Sequence, residues 1–261
     1  MAIVISIASG KGGVGKSSLA VNFALRLQVI KGSTLLVDSD LLMANSHILL
    51  DHRPKYDIID VLDGKCLLQD AIQEIPGSLS LLPGRTGVLS SIAQHDDPLK
   101  NLIPDIKARA PQFDYVVVDV PAGSGDGVMN SLSQSDHVVV VLLGQATSFV
   151  DAYALIKSAH LERGVNQFSL VVNMANSKAQ ALGIFENFER TVTSFLPVGL
   201  TYCGYVPQRR EIQRSSIDCK PVVQVKGEAR QIEEFDAMLR QILATPSGTH
   251  QNSIPLVSSL G

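Results

Sequence analysis

The residues whose types and spacing could do chemistry run from Gly10 to Ser17, in the order Gly-Lys-Gly-Gly-Val-Gly-Lys-Ser. The apolar run Ile3 to Ile7 precedes them, and Leu19, Phe23, Ala24 and Leu27 follow at helical spacing. Strand, glycine-rich loop and helix start thus stand in the order a phosphate cradle requires. Gly10, Gly12, Gly13 and Gly15 allow dihedrals and close approaches that a Cβ would block. Loop N–H groups, that of Val14 among them, can then turn inward as an anion nest. The positive end of the following helix adds to that field. Lys16 is placed to reach the β- and γ-phosphates, Ser17 to offer its hydroxyl to Mg²⁺, and Ser18 to contact the α-phosphate. The implied ligand is a nucleoside triphosphate.

Carboxylates at strand ends could complete such a site. Asp38 and Asp40 follow the run Leu35-Leu36-Val37, and Asp119 closes Val116-Val117-Val118. Aspartates beside a phosphate cradle can hold Mg²⁺ through water or orient an attacking water. The alternative for Asp38 and Asp40 is helix capping or turn formation, which Asp also favours. Gly123, Gly125 and Gly127 after Asp119 give the next loop freedom to change shape. Asn173 ends the run Leu170-Val171-Val172, and its amide can pair with a base edge as donor and acceptor.

The elements that must position these groups are short apolar runs alternating with helical segments. Strands are predicted at 3–7, 34–37, 79–82, 115–118, 137–143, 168–172 and 199–205, and helices near 17–30, 98–110, 148–162, 178–195 and 228–244. Continuous apolarity fits strands buried on both faces, so the fold class is α/β, a mostly parallel twisted sheet with helices on both faces. Ligands in such sheets sit beyond the carboxyl ends of strands, where each motif falls. Residues 1–244 read as one domain. Residues 245–261, polar with Pro and Gly before a final Ile-Pro-Leu-Val, read as a flexible tail.

Composition narrows the function classes. The chain has 261 residues, 45% of them hydrophobic, enough for a large core. A net charge of −3 supplies no global polycation for nucleic acid. Cys66, Cys203 and Cys219 are too scattered for a disulfide framework or a paired-cysteine metal site. The chain runs straight into its first strand with no leader pattern, and no apolar run reaches the ~18 residues of a membrane span. The expectation is a cytoplasmic protein.

The string Lys11-Gly-Gly-Val-Gly-Lys16-Ser17 resembles the deviant P-loop of the MinD/ParA ATPases, a resemblance that covers the chain to about residue 244. It implies the P-loop NTPase fold of the MinD-like class, with ATP/ADP and Mg²⁺ as ligands. By resemblance Lys11 crosses a dimer interface to the partner's phosphates. Asp40 orients the hydrolytic water, Asp38 supports the metal region, and Asp119 holds the Walker B position. Asn173 recognises adenine, with Pro207-Gln208-Arg209 as a second base-side loop. Leu42 stands where the family has a glycine, and Arg209 where it often has an acid. Three strings resemble the flagellar-number branch (FlhG, also called FleN or YlxH): His52 to Gly64, Thr147 to Lys157 and Val171 to Ala179.

That branch implies an ATP-dependent homodimer, slow partner-stimulated hydrolysis, and control of the number or placement of polar flagella. Its partner candidates are a flagellar transcription regulator and an FlhF-like GTPase, with recruitment to the pole or inner membrane face. The apolar stripe Ile232, Phe235, Met238, Leu239, Ile242 and Leu243 carries acidic neighbours rather than lysines, so we read it as sheet-packing, not lipid-binding. Three rival readings have their own marks. A ParA-like DNA partitioner would use Arg209, Arg210, Arg214, Lys220, Lys226 and Arg230, but acids interrupt that run. An iron–sulfur carrier needs paired cysteines. A nucleotide-dependent scaffold would need little catalysis.

Overall fold

The computed structural model describes residues 1–41, 43–75, 79–86, 99–210, 212, 218–225 and 227–247. Leu42, Arg214, Lys226 and residues 248–261 of the predicted tail lie outside them.

The apolar runs form strands β1 (Ile3–Ala8), β2 (Thr34–Asp38), β3 (Gln73–Glu74), β4 (Ser80–Leu82), β5 (Tyr115–Asp119), β6 (His137–Leu142), β7 (Gln167–Ala175) and β8 (Gly199–Pro207). They pair in the order β3-β4-β2-β5-β1-β6-β7-β8. Every pairing is parallel except β3 with β4. Helices α1 (Lys16–Ile30), α5 (Leu102–Arg109), α7 (Ala146–Arg163), α8 (Lys178–Thr193) and α9 (Ala229–Ala244) stand where the spacing predicts them. Short helices α2 (Ser46–Leu49), α3 (Ile58–Leu62) and α4 (Leu68–Ala71), and the two-turn α6 (Asp126–Ser133), were not anticipated. α6 carries Gly127, Ser131 and Ser133, all poor helix formers. It is held instead by burying Val128, Met129 and Leu132.

Alternation along the strands divides the core in two. Ile5, Ile7, Leu36, Val117, Val139 and Val171 face α1 and α9. Val4, Leu35, Val37, Val116, Val138 and Val140 belong to the opposite layer, with α5 to α8. Covering both faces is what makes the strands read as unbroken apolar runs. α1 is buried nearly all round, lying between the sheet and α9. α9 turns Phe235, Met238, Leu239 and Ile242 inward, and Phe235 meets Phe23 of α1 edge-on at 5.8 Å. Arg26 donates two hydrogen bonds to the Asp236 carboxylate, 2.7 and 2.8 Å long, fixing that helix further. Its apolar stripe is therefore spent on the core. No described helix is long and apolar enough to cross a membrane.

β1 is flanked by β5 and β6, so strand order reverses around it. The loops leaving β1, β2 and β5 open at the same edge of the sheet. This is the crevice where α/β folds bind ligands.

Candidate functional site: a phosphate cradle above the central strands

The cradle leaves β1 at Ser9, and Gly15 caps α1 with φ +86°. A side chain there would meet two obstacles, the left-handed backbone and Asn173 Nδ2 only 2.2 Å from the added Cβ. Gly10 serves a different end: a Cβ would lie 2.1 Å from the Asp151 backbone, so it lets the start of α7 approach. Ser9 Oγ donates to the Lys11 carbonyl, pinning the turn at 2.8 Å. Lys11 itself is exposed, and its side chain makes no ion pair with a described residue.

Lys16 lies at the floor. Its Nζ donates to Asp119 Oδ1 at 2.7 Å, with both side chains buried. Asp119 is fully enclosed, and burial pushes its carboxyl up against the opposing charge of Lys16. Its second oxygen, Oδ2, has no hydrogen-bond partner among the described residues. A buried carboxylate oxygen left unsatisfied is costly, which makes it a ready ligand for a hard cation or its water. Ser17, on the same turn, is near enough to act on that carboxylate.

Asp38 faces Asp119 in register across β2 and β5. Burial first, then repulsion from Asp119, raises its carboxyl to about 7. Its oxygens are turned toward the loop rather than the cradle. Oδ2 accepts from Asn45 N at 2.9 Å and Ser46 N at 2.8 Å, and Oδ1 accepts from Asp40 N at 3.3 Å. Asp38 thus closes the loop that carries Asp40 onto the start of α2, combining capping with positioning. Ser39 donates both N–H and Oγ–H to the Asp119 carbonyl, fastening that loop to β5. Asp40 is half-buried, and its Oδ1 accepts from Met43 N at 3.0 Å. A cleft of about 450 Å³ brings together Gly12, Gly13, Lys16, Ser17, Ser18 and Asp40, with Ala122 on its far wall. The loop after β5 is shorter than the glycines suggest. Gly123 N donates to Ser9 O at 3.0 Å, and Gly127 is already inside α6.

Around the side of the cradle a second cavity, about 70 Å³, is lined by Gly15, Ser18, Asn22, Asn173, Pro207 and Arg209, with Val222 and Phe235. Asn173 Nδ2 donates to the Val14 carbonyl at 2.7 Å, and its Oδ1 accepts from Met174 N at 2.8 Å. One N–H and one oxygen lone pair remain for a ligand. β7 continues past Asn173 to Ala175 with a register shift, and Met174 adopts φ +56°. Asn22 and Val222 were not singled out from the sequence. The available signal for Asn22 was a polar residue inside the apolar run Leu19 to Leu25 of α1.

A sequence model of the ParA family, described as an NUBPL iron-transfer P-loop NTPase, matches residues 1–243. The chain belongs to the ParA/MinD family of P-loop ATPases. It is 31% identical to the antiactivator FleN of Pseudomonas aeruginosa over 245 residues, 93% of this chain and 87% of that one. It is 30% identical to the flagellum site-determining protein YlxH of Helicobacter pylori, over 80% of this chain and 71% of that one. The septum site-determining protein MinD of Pyrococcus horikoshii, solved in complex with Mg-ADP, shares the fold. That structure has a TM-score of 0.74 and 22% identity, with 91% of this chain and 94% of that one covered. One string that suggests the flagellar branch has a structural use in this chain. Asp57 caps α3, and Arg85 pairs with Asp57 at 2.5 Å and with Asp60 at 2.6 Å.

Proposed function

We propose that this ParA/MinD-family ATPase is a nucleotide-driven association switch that governs the number or placement of polar flagella. The single observation that carries the nucleotide chemistry is that Lys16, Ser17 and Asp40 line one cleft at the topological switch point, with Asp119 buried behind Lys16 and bonded to it. Lys16 would leave Asp119 for the β- and γ-phosphates when ATP enters. Ser17 and Asp119, with its unsatisfied Oδ2, are the groups that would hold Mg²⁺, while Asp38 fixes the neighbouring loop. When bound, Mg²⁺ neutralises phosphate charge as the γ-phosphoryl is transferred. Asp40, which lines the cleft, orients water for in-line attack.

Lys11 is an exposed cation on the cradle rim. A second copy docked face to face would carry that charge to its partner's phosphates, so nucleotide state and association become one equilibrium. Hydrolysis removes the group that both loops and the interface grip. Slow turnover suits such a switch. Residues 1–244 act as one domain. Asn173, Pro207 and Arg209 flank the base.

The flagellar assignment rests on the likeness to FleN and YlxH. Its candidate partners are a flagellar transcription regulator and an FlhF-like GTPase. Since the α9 stripe is buried, recruitment to the cell pole from the cytoplasm would go through a protein partner. Iron transfer, named in the family model, would need paired thiols. Here no disulfide joins Cys66, Cys203 or Cys219 to another described residue, and no group of three His, Cys, Asp or Glu that could hold a metal occurs among the described residues.

Light scattering with ATP and Mg²⁺ tests the switch. Asp40→Ala should accumulate as a dimer with ATP and stay monomeric with ADP. A monomer in both states refutes the switch.

A further inference from the structure

Asn22 occupies a position on α1 where packing alone asks for an apolar side chain. It is 2% exposed and lies among Leu19, Val21, Phe23 and Leu25, all buried. Asn is a weaker helix former than Ala. Both ends of its amide are used. Nδ2 donates to the Ser18 carbonyl at 2.7 Å, within the first turns of α1. Oδ1 accepts from the Val223 backbone N–H at 3.1 Å, from a segment 201 residues away in sequence. Ser18 closes the phosphate cradle. Val222, 2% exposed, begins a short 3₁₀ turn (Val222–Gln224) whose wall faces the base-side cavity beside Phe235 and Asn173. One turn further along α1, Arg26 grips Asp236 of α9. The same face of α1 therefore holds both the turn and the helix that back this cavity.

We propose that Asn22 is a positioning residue for the bound nucleotide, fixing the Val222–Gln224 turn against α1 so that the cavity wall is preformed for the nucleoside. This rests on the reading that the cradle binds a nucleoside triphosphate. Phosphates are gripped by the loop and Lys16; Asn22 meets the cradle only at the Ser18 carbonyl, which points along α1 away from the phosphates. The nucleoside meets the wall that Asn22 holds. Without the amide acceptor, the Val223 N–H loses its partner and the wall is free to drift. Ordering it is then charged against binding.

The test compares two ligands in calorimetric titrations of the full chain, MgATP and magnesium tripolyphosphate. Asn22→Ala should weaken MgATP at least tenfold and leave tripolyphosphate within twofold. Val222→Ala, which trims the wall but keeps the hydrogen bond, should show the same selectivity and add little to Asn22→Ala in the double variant. Equal loss of both ligands means that Asn22 only supports the helix, and no loss means that the link is idle. Either result overturns the proposal. Wild-type protein that takes up neither ligand refutes the nucleotide reading itself, and the proposal with it. Should Asn22→Ala not fold, hydrogen exchange on the wild type decides. MgADP should slow exchange of the Val223 amide at least tenfold while tripolyphosphate does not. Equal slowing, or none, overturns it.

Discussion

Replacing Asp38 with asparagine should remove a pH dependence that the nucleotide-free protein carries in its fold. Asp38 is fully buried beside Asp119, and burial followed by that repulsion raises its carboxyl to about 7. The unfolded chain titrates the same group near ~4. Between those values the folded state binds more protons, so stability falls as pH rises through the window and the loss is complete above the folded value. With a folded value of about 7, the share lost between pH 5 and pH 8 comes to about 2–3 kcal/mol. His47 and His137 act in the opposite sense. Burial holds both below the usual imidazole range, so protonation of the unfolded chain costs stability as pH falls through ~6.5. Taking the difference between wild type and Asp38→Asn cancels those terms. The amide oxygen still accepts from Asn45 and Ser46, while its N–H₂ faces the Asp40 N–H, a loss of about 1 kcal/mol at every pH. Urea unfolding, followed by circular dichroism from pH 5 to pH 8, measures the effect. The variant should gain about 2–3 kcal/mol on wild type across that range. Parallel curves for the two proteins would refute the reasoning.

Three other perturbations probe the same site. Lys16→Ala should abolish MgATP binding in a titration. It should also cost about 3–5 kcal/mol in urea at pH 8, because Asp119 is left buried without its cation. Gly15→Ala should cost about 1–3 kcal/mol from the left-handed backbone alone, and more from the 2.2 Å approach to Asn173. Adding Asn173→Ala should recover the second part and not the first in the same unfolding assay. Arg26→Ala removes two hydrogen bonds to Asp236 and should lower stability by about 1–3 kcal/mol, read as an earlier thermal midpoint.

The cradle was legible because its chemistry needs specific residues at fixed spacing. The glycines, Lys16 and Ser17 announce a strand-loop-helix junction that the structure contains. Strands buried on both faces are equally plain, since unbroken Val, Ile and Leu runs have few other uses. Two kinds of feature stayed hidden. α6 formed against its own propensity because tertiary burial of Met129 and Leu132 outweighs Gly127 and two serines, a balance that no local window contains. Asp38 gave no sign of which way its oxygens turn. That depends on the Asn45 and Ser46 N–H groups reaching back over the strand end. Asn22 was hidden for a related reason, since its partner lies near the other end of the chain.

The most direct test of the account is a crystal structure of the protein with a non-hydrolysable ATP analogue and Mg²⁺. Two copies should face one another across the cleft, each with Lys11 on the phosphates held by the other. A lone subunit, or paired subunits with that ammonium turned out to solvent, would contradict it.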